Sequence, residues 1–111
     1  GTRERLEALG YRVETAANAP AALDILAAGR SVDLVFTDVV MPGGLSGLDL
    51  ARGLRADDPR RRILVTSGFA EDFTDGRQAG ETGFLFLRKP HSLIELADAI
   101  AAALAPEEPT A

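Results

Sequence analysis

Apolar and polar positions along the 111-residue chain change period several times, and each change predicts an element. Residues 6–10 read as the end of a helix, with Gly10 as its stop signal. Residues 11–16, "YRVETA", alternate apolar with polar as a short strand does. Asn18 then caps a helix with Pro20 in its first turn, Gly29 at its end, and Leu23, Leu26 and Ala27 on one face. Residues 33–37 form a nearly continuous apolar run, the pattern of a parallel strand covered on both faces. Ser46 and Asp49 are spaced as a capping box that opens a helix over 46–55. Residues 63–66, "ILVT", predict another buried strand, 72–79 a polar helix interrupted by Gly76, and 84–87, "FLFL", a further strand. The last helix, 92–104, opens on the box Ser92…Glu95 and carries a stripe of Leu93, Leu96, Ala97, Ile100 and Leu104. Strand and helix in strict alternation predict βαβ units around a parallel sheet. The domain spans 1–105, and 106–111 is an acidic, Pro-rich tail.

Charge and composition narrow the function. The net charge is −5 with no basic tract, which argues against direct contact with nucleic acid or an anionic membrane. No cysteine is present, so disulfides, thiolate catalysis and Cys-type zinc sites are excluded. The absence of a secretory signal or a bilayer-length apolar run predicts a cytoplasmic location.

In parallel α/β sheets, chemistry gathers beyond the carboxyl ends of the strands. Three such ends carry an acid, a hydroxyl and a cation: Asp38, Ser67 followed by Gly68, and Arg88-Lys89-Pro90. Lys89 is the sole lysine, a compact point charge where the other basic residues are arginine forks. The plain alternatives are a capping role for Asp38, a turn role for Ser67 and a simple Lys89–Asp38 ion pair. That ion pair is also what a phosphate site looks like when empty. Phe86 is first of all a core residue, His91 an exposed loop residue, and Arg60-Arg61-Arg62 a solvated turn.

Taken together, "DLVFTDVVMPG", "ILVTSG" and "FLRKP" resemble the receiver domain of two-component response regulators over nearly the whole chain. The variants "MPGGLSGLDLA", "TSGFAED" and "FLRKPHSL" are most similar to receivers of hybrid histidine kinases or their single-domain relatives. The resemblance implies a flavodoxin-like, three-layer α/β fold. It also implies that Asp38 accepts a phosphoryl group from a histidine kinase or histidine phosphotransfer protein. Lys89 and the switch residue Ser67 would hold the phosphoryl oxygens, with Thr66 a rival for the switch role. Mg²⁺ would sit on Asp38 and the Val40 carbonyl, and Phe86 would be the mobile aromatic. A cis Lys89-Pro90 bond is implied as well. Such a domain assists its own phosphorylation or serves as the receiver part of a hybrid kinase, with output through another protein or a preceding kinase, and a dimer is possible. An aspartate-nucleophile phosphatase would want a second Asp where Val40 stands.

One departure stands out. A receiver opens with a strand ending in an acid pair that binds Mg²⁺. This sequence opens inside the following helix, so that strand is absent, and Glu4 and Glu7 cannot replace the pair. In the family order 2-1-3-4-5 the absent strand is central. The expected alternative function is therefore a degenerate receiver that binds proteins without phosphorylation.

Overall fold

The structure is a computed structural model that describes residues 1–40, 46–68 and 84–106. Among the described residues seven elements follow one another: α1 (Thr2–Ala8), α2 (Ala19–Ala27), β1 (Val35–Asp38), α3 (Gly47–Asp57), β2 (Ile63–Ser67), β3 (Leu85–Arg88) and α4 (Leu93–Leu104). The strands form one parallel sheet in the order β1-β2-β3.

Two apolar clusters cover the two faces of that sheet. Ile63 and Val65 of β2 join Ala19 of α2 and Leu48, Leu50, Ala51 and Leu54 of α3 on one side. Leu64, the residue between them, joins Leu6 of α1 and Leu96, Ile100 and Ala103 of α4 on the other. Alternation along β2 thus feeds both faces. All five residues of β2 are buried, the signature of a central parallel strand. The result is the parallel sheet expected from the alternating pattern, in the three-layer α/β arrangement that the resemblance implied.

The helix ends follow the expected capping chemistry. Asn18 Oδ1 accepts the Ala21 N–H at 2.9 Å. Ser46/Asp49 and Ser92/Glu95 both close as reciprocal capping boxes. Gly10 and Gly29 take φ of 96° and 85°, the left-handed conformation that ends helices.

Several expectations need correction. Residues 11–16 belong to no strand. Tyr11 and Val13 do turn inward onto the second cluster, while Arg12 and Glu14 are exposed, so the alternation reports burial. A strand also needs a hydrogen-bonded neighbour, and among the described residues none pairs with this segment. β1 starts at Val35 and extends through Asp38, and β3 runs one residue later than expected. The core face of α2 is Ala19, Ala22 and Leu26, while Leu23 is 42% exposed. On α4, Leu93 is exposed and Ala103 takes a buried place instead, because the helix face turns toward β2 and β3 one turn later. The helix expected over 72–79 and most of the tail lie outside the described residues.

Candidate functional site

Backbone pairing brings the three strand ends together. Asp38 is in register with Thr66, and Ser67 with Arg88. Two bonds carry the pairing past the strands: Val39 N–H donates to the Thr66 carbonyl at 3.0 Å and Lys89 N–H to the Ser67 carbonyl at 2.9 Å. Asp38, Ser67 and Lys89 therefore stand at one edge, and with Val40 and Gly68 they line a cavity of about 240 Å³.

Lys89 Nζ forms an ion pair with Asp38 Oδ1 across that cavity. Both side chains are more than 40% exposed. An ion pair that wet contributes on the order of 0–1 kcal/mol to stability. Its interest is its position, with a carboxylate and an ammonium both open to an incoming group. The Lys89-Pro90 bond is cis, as the resemblance implied.

The two hydroxyls expected to compete sit differently. Ser67 lines the cavity, whereas Thr66 Oγ1 donates to the Leu87 carbonyl at 2.7 Å inside the sheet. Phe86 is half-buried, in register with Val65 and packed against the first cluster. Val40 is 67% exposed at the cavity lip. Glu4 and Glu7 lie on α1, paired with the terminal amine and with Arg3, and neither lines the cavity.

Of the residues expected in solvent, Arg60 is exposed and the others are half-buried. His91 is half-buried; its carbonyl accepts from Arg5 Nη2 at 2.8 Å and its ring Nδ1 lies 3.0 Å from Arg5 Nη1. Burial holds its pKa below 6.5, and the nearby cations Arg5 and Lys89 lower it further. Arg61 and Arg62 are also half-buried, and Arg62 Nη1 donates to the Ala105 carbonyl at 2.7 Å at the end of α4.

Gly47 is the residue that sequence reasoning passed over. It opens α3, and its N–H donates to the Val39 carbonyl at 2.8 Å. A Cβ there would fall inside the Asp38 carbonyl group and 2.8 Å from Thr37 Oγ1. Only glycine lets α3 begin this close behind Asp38. In the sequence it stands in "LSGLDL", directly after the capping Ser46, with no local mark of this close approach.

Asp38 and the Val40 carbonyl are hard oxygen donors of the kind Mg²⁺ takes. Among the described residues no group of three His, Cys, Asp or Glu side chains gathers to hold a metal. Among the described residues that line the cavity, Asp38 thus offers a Mg²⁺ one carboxylate, and such an ion fills its other positions with water or further oxygen donors.

Comparison with known proteins identifies the family. A model of the response regulator receiver domain matches residues 1–101, and the chain belongs to that family. It is 40% identical over 96 residues to the sensor kinase CckA of Brucella abortus, covering 86% of this chain and 10% of that protein. It is equally 40% identical over 96 residues to the response regulator MprA of Mycolicibacterium vanbaalenii, covering 85% of this chain and 40% of that one. The chain therefore spans less than half of either relative. Among solved structures, a receiver domain protein from Clostridium thermocellum superposes with a TM-score of 0.81 at 31% identity, over 93% of this chain and 82% of that one. The response regulator TrrA from Thermotoga maritima, in complex with Mg²⁺-BeF, superposes with a TM-score of 0.79 at 26% identity, over 93% and 86%. The fold is the flavodoxin-like receiver fold, and the chain is a receiver domain of two-component signalling. Among the described residues no helix is long and apolar enough to cross a membrane.

Proposed function

We propose that Asp38 accepts a phosphoryl group from the phosphohistidine of a histidine kinase or histidine phosphotransfer protein. The observation that carries this reading is the Asp38–Lys89 ion pair, open to solvent, in a cavity that Ser67 also lines. In the reaction an Asp38 carboxylate oxygen attacks phosphorus. The P–N bond of the donor breaks, its electron pair returns to the imidazole, and a P–O bond forms to give an acyl phosphate. Lys89 leaves its ion pair with the carboxylate to neutralise one phosphoryl oxygen, and the Ser67 hydroxyl donates to another. Bound Mg²⁺ would add positive charge beside the phosphoryl group, held by Asp38 and the Val40 carbonyl. Phe86 is the candidate for the aromatic that responds to phosphorylation. Partner kinase and output belong to the same proposal.

Incubation with acetyl phosphate and Mg²⁺ tests it by intact mass. One phosphoryl adduct is expected on the wild type and none on Asp38→Asn; equal labelling of the variant would remove Asp38 from this role. A second reading, a module that binds partners without phosphorylation, is favoured by Asp38 being the single carboxylate that lines the cavity among the described residues. It predicts an unlabelled wild type.

A further inference from the structure

Helix α1 reaches the loop that follows Lys89 through Arg5. Arg5 donates from Nη2 to the His91 carbonyl at 2.8 Å, and its Nη1 lies 3.0 Å from the ring Nδ1. A guanidinium has only donors, so Nδ1 must be the acceptor. The ring is then neutral, with its proton on Nε2. That assignment follows from the hydrogen bonding. His91 stands two residues after Lys89, and its ring also lies 6.5 Å from Phe36, two residues before Asp38. One imidazole thus touches the chain segments that carry both members of the ion pair.

We propose that Arg5 is a positioning residue for the phosphoryl site: by gripping neutral His91 it fixes the loop that carries Lys89 against Asp38, and protonation of His91 releases the grip. The proposal rests on the reading of Asp38 and Lys89 given above. A protonated ring has no lone pair for Arg5 and sets a cation against the guanidinium. The charged groups around the ring are Arg5 from α1, Lys89 on the loop and Glu95 from α4, while β1 contributes the uncharged Phe36. Burial and the two cations outweigh Glu95 and lower the ring pKa below 6.5. The folded state therefore holds fewer protons than the unfolded state just below that value. The contact is fully stabilising above pH 6.5 and is lost as pH falls through the lowered folded pKa.

Titration of the isotopically labelled 111-residue chain by NMR tests the clamp without any phosphoryl donor. The Lys89 amide shift should follow the His91 titration in the wild type. In Arg5→Ala the ring should titrate at higher pH, and Lys89 should no longer follow it. His91→Gln keeps an acceptor that does not titrate, so Lys89 should stay at its neutral-pH position throughout. A Lys89 signal that ignores the wild-type His91 titration would overturn the proposal, as would an unmoved titration in Arg5→Ala. Acetyl phosphate labelling gives a second readout. Arg5→Ala should slow it about tenfold, equivalent to about 1.4 kcal/mol, and His91→Gln should keep the neutral-pH rate. An unchanged rate in Arg5→Ala also counts against the clamp. A wild type that is never labelled would refute the reading of Asp38 instead, and the NMR titration would still decide the clamp.

Discussion

The two ends of the sheet hold cavities of similar size and opposite chemistry. At the carboxyl end, Asp38, Val40, Ser67, Gly68 and Lys89 enclose about 240 Å³. At the amino end, Arg55, Arg60, Arg61 and Arg62 line about 180 Å³ together with Pro59, Ile63, Leu85, Ala103 and Ala105. The arginine end has more charge, yet Arg55, Arg61 and Arg62 each donate to a main-chain carbonyl, while Arg60 is exposed and Arg61 Nε is left without a hydrogen-bond partner among the described residues. Arg62 closes the end of α4 through the carbonyls of Ala103 and Ala105. Arg61 reaches the Val32 carbonyl at 3.4 Å, and Arg55 donates to the Arg61 carbonyl at 2.9 Å while stacking 5.3 Å from the Phe84 ring. These bonds use donors to satisfy main-chain acceptors at helix and strand ends, where the helix dipole also favours a cation. The carboxyl end keeps a carboxylate and an ammonium that, among the described residues, pair with each other, and both are open to water. One end stabilises the fold, and the other is where the proposed phosphoryl transfer would take place.

Variants sharpen that contrast, beginning with the largest effect. Gly47→Ala forces a methyl group into the Asp38 carbonyl, so α3 or the end of β1 must shift. A loss of about 2–3 kcal/mol or more is expected in chemical denaturation, with phosphorylation impaired as well. Gly68→Ala is the control, since its Cβ would meet Lys89 Cβ at an ordinary 3.9 Å and stability should hold within about 0.5 kcal/mol. Arg62→Ala strips the α4 carbonyls of their donor and should cost about 1–2 kcal/mol while leaving labelling of Asp38 unchanged. Lys89→Ala reverses that pattern. It should alter stability by less than about 1 kcal/mol, because the ion pair is wet, yet uncouple phosphorylation from the chemical-shift changes it normally causes. Val40→Asn should leave stability untouched. It places a carboxamide able to orient water at the cavity lip, and so should speed loss of the acyl phosphate, followed as the decay of the mass adduct.

Local chemistry was legible in the sequence, and contacts between distant segments were not. Asn18, Ser46 and Ser92 could be read as caps because a cap involves residues three positions apart. The grouping of Asp38, Ser67 and Lys89 could be read because parallel strands end at a common edge. Residues 11–16 show the limit, since alternation records which side chains face inward and says nothing about whether a neighbouring strand supplies hydrogen bonds. His91 looked exposed because its partner Arg5 lies 86 positions away. Arg60-Arg61-Arg62 looked like a solvated turn because the carbonyls that hold Arg61 and Arg62 come from Val32, Ala103 and Ala105. Gly47 was overlooked because nothing local distinguishes a glycine that follows a cap from one that a neighbouring strand requires.

The contrast between the two ends can be measured in one titration. Beryllofluoride with Mg²⁺, a mimic of the phosphoryl group, is added to the labelled chain while amide shifts are followed by NMR. The account predicts shifts at Asp38, Val39, Gly68 and Lys89, quiet signals at Arg55, Arg62 and Ala103, and no response in Asp38→Asn. Shifts centred on the arginine end, or an undiminished response in Asp38→Asn, would contradict it.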